Sequence, residues 1–156
     1  VAATSVSFSA AVDNWVKQTN ERMTAIFKSS TQEVSSRVTG YLSGQLVNVQ
    51  TGFLRASQQA STESMPPIDP TAEPKPGAKY AGDFGQISLV IAGAELGQTI
   101  YLGWTAKYGP YLEYGTASIA PRGFVRLAAA QWQDIVRVQT VRAKNVALDG
   151  FAVLSE

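Results

Sequence analysis

The sequence predicts an α+β fold: an antiparallel sheet of about four strands packed against a long N-terminal helix and a long C-terminal helix. Three observations predict it. Apolar residues recur at helical spacing near both ends of the chain, and alternate at strand spacing between them. Gly and Pro clusters separate the alternating segments. A length of 156 residues, 45% hydrophobic and 16% charged, suits one domain over 1–156 with a genuine core.

The first helix is expected from Ser9, whose hydroxyl can accept an orphan backbone N–H as N-cap. Val12, Trp15, Val16, Met23, Ile26, Phe27, Val34 and Val38 follow at spacings of three, four and seven, which places them on one face. Asp13 with Lys17, Lys17 with Glu21, and Glu33 with Arg37 are opposite charges four residues apart on the outer side. The pattern runs to about Thr39, roughly 45 Å of helix. Gly40 and Gly44 then read as a fraying end.

Thr51-Gly52 marks a change to strand, with Phe53, Arg55 and Ser57 on one side and Leu54 and Ala56 on the other. Residues 61–82 hold five of the seven prolines and too little apolar content to fold alone. The segment reads as a mobile loop or as an arm ordered only against a neighbour. Gln86–Ala92 and Thr99–Trp104 alternate like strands around a Gly93–Gly97 hairpin connection, and Tyr108–Tyr114 reads as a fourth strand. A final helix is expected from Gly123 to about Leu148. Phe124, Leu127, Ala128, Trp132, Ile135, Val138 and Val141 form its apolar face, and Gly150 ends it.

The absent residue types are informative. With no Cys there is no disulfide framework and no thiolate; with no His the commonest general base and metal ligand are missing. No metal and no cofactor is expected, and an enzyme is not. No apolar run approaches a membrane-spanning length. The opening Val1-Ala-Ala-Thr-Ser5 lacks the basic start of a secretory signal and reads as a trimmed end. A formal charge of +1 argues against a strongly basic nucleic-acid binder. The charge is uneven, with residues 61–121 at −3 between ends of +2 each.

Among the charged residues, Arg55 and Glu113 stand inside otherwise apolar segments, where an unpaired charge would be costly. They are expected to pair with each other, within the subunit or across a subunit interface. Tyr101, Trp104, Tyr108, Tyr111, Tyr114 and Phe124 are dense enough for a stacking platform. The plainer reading is packing or interface, with Trp132 added to Tyr108, Tyr111, Tyr114 and Phe124. Gly52, Gly115 and Pro121 mark turns. Arg126, Arg137, Arg142 and Lys144 lie along the last helix, either as a solvated face or as contacts to neighbours or to DNA phosphates.

Three segments carry a resemblance: Thr51-Gly-Phe-Leu-Arg-Ala-Ser57, Tyr111-Leu-Glu-Tyr-Gly-Thr116 within its Lys107–Thr116 run, and Pro121-Arg-Gly-Phe-Val-Arg126. Together they resemble the tailed-phage head–tail joining, or tail-completion (neck), family that includes the lambda minor tail protein Z. The resemblance implies a structural virion protein that completes the tail or joins it to the head. It would act as a ring, six-fold where it meets a tail tube, around a channel through which DNA passes without sequence-specific binding. The implied partners are further copies of the chain and neighbouring connector, stopper, tail-terminator or tail-tube proteins. The implied location is the virion neck or tail, assembled in the host cytoplasm, with no membrane partner. A tail terminator capping the tube is the neighbouring alternative. A virion carbohydrate-binding or hydrolytic module is the alternative of another class.

Overall fold

The computed structural model describes residues 7–152. Helix α1, Phe8–Gly40, is capped by Ser7, whose Oγ accepts the Ala10 N–H at 3.2 Å. Its 33 residues span about 50 Å. Past Gly40 the helix widens over Tyr41–Gln45, where Tyr41 O accepts the N–H groups of both Leu46 and Val47. Gly44, at φ 117°, turns the chain out of it.

The chain then makes one helical turn, α2, Phe53–Ala56, before strand β1, Gln58–Ser61. Helix α3 is Phe84–Gly93, strand β2 is Tyr101–Trp104, and helix α4 is Gly109–Tyr114. Two helices end the described chain: α5, Phe124–Ala130, and α6, Trp132–Ala152. The sheet among the described residues has two antiparallel strands, with Gln58 opposite Trp104 and Ser61 opposite Tyr101. The mixed helix-and-strand class and the long N-terminal helix stand; the four-stranded sheet does not.

Three of the expected strands are helical, each for a local reason. Residues 86–92 form α3, because Ile87 and Ile91 satisfy a helix face as well as a strand face. Both are buried, while Leu89, their partner in the strand reading, is 69% exposed. Asp83 settles the choice as N-cap, its Oδ1 accepting the Gly85 N–H at 3.1 Å. Within the expected 108–114 strand, Gly109–Tyr114 form α4, which admits Pro110 in its first turn, where no intrahelical donor is lost. Residues 53–56 form α2 because Gly52 enters at φ 79° and Thr51 Oγ1 accepts the Phe53 N–H.

The expected continuous last helix is interrupted at Gln131 and runs past Gly150 to Ala152. The interruption places the Gln131 side chain against α1. Its Nε2 donates to the Tyr41 hydroxyl at 3.0 Å, and its Oε1 accepts from Arg37. The core lies beneath these contacts. Val38, Leu42, Leu54, Ala106, Phe124 and Ala128 form one buried cluster, and Trp104 meets Phe124 edge-on at 5.9 Å. At the other end of α3, Lys28 Nζ donates to Ala92 O at 2.5 Å, a favourable place for a cation at a helix C-terminus.

The Pro-rich segment lies on the body of its own subunit. Its prolines donate nothing, yet the residues between them do. Asp69 N–H donates to Thr105 O at 2.9 Å, Tyr80 N–H to Thr51 O at 2.9 Å, and Ala72 O accepts the Lys107 N–H. Glu73 pairs with Lys107 at 2.7 Å. Pro66 lies on Gly103, where an added Cβ would meet it at 3.2 Å. The reading of an arm ordered only against a neighbour is therefore replaced by one stitched down within the chain.

Two outcomes follow for this segment. Gly103→Val should overpack the Pro66 contact, cost about 1–3 kcal/mol in chemical denaturation, and bring the first protease cuts into 64–80; a cleavage pattern like the parent's would contradict the contact. The Thr71 hydroxyl and N–H hold the Asp69 carboxyl below its ordinary value, and Lys107 does the same for Glu73. Because both are lowered, their contribution is present above the ordinary carboxylate range and is lost as pH falls through the folded values. NMR titration of the two carboxyls should give midpoints below those of the unfolded chain; equal midpoints would mean that neither bond holds in solution.

Candidate assembly interface

Glu113 is the most engaged charge in the molecule's family-like segments. It is 5% exposed and stands at the end of α4, facing the first turn of α5. Oε2 accepts the Val125 N–H at 2.9 Å, and Oε1 accepts the Arg126 N–H at 3.1 Å. The carboxylate thus takes two orphan donors at a helix N-terminus, where a negative charge is favoured. Arg126 closes the arrangement: its Nε donates to Oε1 at 3.0 Å and its Nη2 to Glu113 O at 2.8 Å. The same guanidinium lies 5.0 Å over the Tyr114 ring.

The loop between the two helices is shaped for this bond set. Gly115 sits at φ 80°, and a Cβ there would meet Ile119 O at 2.8 Å and Pro121 N at 2.9 Å. Thr116 N–H donates to Ile119 O, Arg122 N–H to Leu112 O at 2.8 Å and Gly123 N–H to Glu113 O at 3.1 Å. The motif Glu-x-Gly-Thr followed by Arg-Gly-Phe-x-Arg is therefore one folded unit. Its Phe124 side chain, 2% exposed, anchors that unit in the core.

The expected Arg55–Glu113 pair is not formed. Glu113 is saturated by α5, and Arg55 donates through Nη1 to Ser43 Oγ at 2.9 Å. Arg126, expected on the polar side of the last helix, is the residue that pairs with Glu113; the thirteen-residue separation across a Gly-shaped loop hid it from sequence spacing. Of the other three cations, Arg137 pairs with Asp134 at 3.2 Å, and Arg142 borders a groove between α6 and α1 beside Glu21 and Arg22. Lys144 is exposed.

The aromatic set does not form one platform. Trp104 and Phe124 turn inward, and Tyr108 packs beside Phe53 at 6.3 Å between ring centres, where burial pushes its phenol above the ordinary value. Tyr111 and Tyr114 face outward. Trp132 stands at the edge of an apolar hollow that it shares with Phe27, Val34, Ile100 and Leu102.

The larger exposed apolar surface is on α1. Phe8 is 86% exposed and Trp15 67%, and Val12, Val16 and Met23 on the same half-helix are exposed too. Val138 and Val141 of α6 are exposed as well. The sequence places Val12, Trp15, Val16 and Met23 on one helix face with Val34 and Val38, without separating an exposed half from a buried one. The signal that reading missed is length: the helix begins about six turns before Ser30, the first buried residue of α1. Among the described residues, no group of Asp or Glu side chains is placed to hold a metal ion, and no helix is long and apolar enough to cross a membrane.

Removing the carboxylate tests the Glu113 unit. Glu113→Ala should leave the half-buried Val125 and Arg126 N–H groups without their acceptor, a loss of about 1–3 kcal/mol in all. Arg126→Ala should cost less, because the 58% exposed guanidinium is already hydrated. Chemical denaturation of both variants separates them, and an equal loss would place the bond's value in the ion pair instead of the helix cap.

Compared with protein-family models, curated proteins and solved structures, the chain matches none.

Proposed function

We propose that this chain is a structural virion protein of a tailed phage, which completes the tail or joins it to the head as one subunit of a ring around the DNA channel. The observation that carries the reading is the exposed apolar stripe of α1, Phe8–Met23, which the described residues of its own subunit leave uncovered. A row of Phe, Val, Trp and Met side chains on one helix is the kind of patch that marks a protein interface. In a ring, each such stripe is covered by the next copy through a heterologous contact that closes on itself.

The Glu113 unit supports the same reading. It joins the second and third family-like motifs into a rigid corner and devotes their only acid to capping a helix, so that the residues serve geometry. In this role the chain has no turnover and needs no cofactor. Its neighbours are connector, stopper, tail-terminator or tail-tube proteins, and it resides in the neck or tail of a virion assembled in the host cytoplasm. With Arg126 and Arg137 engaged inside the subunit, Arg142 and Lys144 are the cations of the last helix left to meet neighbours or passing DNA. So weak an attraction suits DNA that must slide.

Phage carrying Trp15→Glu and Val16→Glu should make full heads and complete tails that remain separate in electron micrographs. The isolated variant should keep the parent's stability to within about 0.5 kcal/mol, since both positions are exposed. Normally joined particles would overturn the reading.

A further inference from the structure

A cavity of about 440 Å³ lies where the end of α1, the 47–52 segment, α2 and the approach to α5 come together. Two guanidinium groups, Arg55 and Arg122, line it, and no Asp or Glu does. Neither arginine forms an ion pair among the described residues. Arg55 is held in place: Nη1 donates to Ser43 Oγ, which in turn donates to Thr39 O at 2.6 Å. Its Nε is shut off from water and has no acceptor. Arg122 is set at the rim by its backbone bond to Leu112 O. Nearby, Lys79 Nζ donates to the carbonyl of Gln50, another residue of the lining, and brings a third cation to this edge.

The remaining walls are mixed: Leu42, Val47, Leu54 and Leu112 stand beside Tyr108, and Asn48, Gln50 and Thr51 add polar groups. Gly52 is part of the lining, at φ 79°, and lets the 78–80 backbone pass close behind it. A Cβ there would meet Tyr80 O at 2.5 Å and stand 3.5 Å from Arg55 Nη2. The Thr51–Ser57 motif, which the Glu113 unit does not use, thus contributes both the shape and a charge.

We propose that this cavity binds a carboxylate carried on an apolar segment of a partner protein: an acidic side chain or a terminal carboxylate beside an aliphatic residue. A half-buried guanidinium with no carboxylate partner gains from an incoming anion, and a carboxylate matches the two-donor fork of arginine. One recess with aliphatic side chains in its walls suits a single carboxylate better than a nucleic-acid backbone, whose closely spaced charges call for a continuous basic groove. The carboxylate chemistry stands on the cavity alone. That the partner is a neighbouring virion protein rests on the function proposed above.

Titration of the whole isotopically labelled protein tests it, with three probes: the peptide acetyl-Gly-Leu-Ile-Glu-Glu with a free carboxylate, its Gln-Gln amide counterpart, and a twelve-nucleotide single-stranded DNA. The acidic peptide should saturate and shift the amide signals of Thr51, Gly52 and Arg122. Binding should weaken by about tenfold or more for the neutral peptide and for Arg122→Ala, and measurably for Arg55→Lys, which keeps the charge and loses the fork. Equal binding of acidic and neutral peptides would reduce the site to an apolar groove and overturn the proposal. So would tighter binding of the oligonucleotide at the same residues, or no saturation by the acidic peptide in a folded protein. Ring formation is scored separately: a chain that still assembles yet binds no peptide condemns the cavity alone, and one that binds peptide without assembling condemns only the ring.

Discussion

Glu113 stands where two short helices would otherwise end badly. Helix α4 runs Gly109–Tyr114 and α5 Phe124–Ala130, lengths at which isolated helices have little stability of their own. The first turn of α5 has no side-chain N-cap, because Gly123 precedes it at φ 60°. The Glu113 carboxylate supplies the missing acceptors from a distance, and so ties the end of one helix to the start of the next. Phe124 can then enter the core at a set angle, beside Trp104 from β2 and against Val38 and Leu42 from α1 and its widened end. From Gln131 onward, the chain is aimed back along α1. The Glu113 bonds set how α5 leaves the corner, and the Gln131 contacts then hold the start of α6 beside α1.

The sequence disclosed periodicity well and pairing poorly. Helix α1 was legible because a 3.6-residue pattern sustained over many turns has no strand equivalent. Residues 86–92 were not, since Ile87 and Ile91 occupy one face in either conformation; the deciding residue, Asp83, lies outside the apolar run. Residues 108–114 favour strand by their tyrosines, yet the bonds made by Glu113 and the fit of Gly109 against Leu54 outweigh local preference. The Glu113–Arg126 pair was hidden because spacing alone does not show how a loop folds. Gly115 and Pro121 signalled a turn without showing that the turn brings residues 113 and 126 together. Arg55 was recognised as unusual for being charged in an apolar segment. Its surroundings, a cavity with a second arginine and no acid, belong to tertiary structure alone.

Two kinds of surface remain once the interior is accounted for. One is apolar and extended, along the exposed half of α1, and suits another folded subunit. The other is concave and basic, between Arg55 and Arg122, and suits a short acidic segment. The two lie on different parts of the chain. The Pro-rich segment separates from neither, being bonded to the body through Asp69, Ala72 and Tyr80.

The central claim is that the α1 stripe is a contact between copies that close into a ring. Native mass measurement of the purified chain, alone and with a tail-tube protein, tests it most directly. The account predicts a single closed oligomer, six-fold in the presence of the tube, that falls apart when Trp15 and Val16 are replaced by Glu. A chain that stays at its monomer mass of 16.7 kDa under both conditions would contradict it.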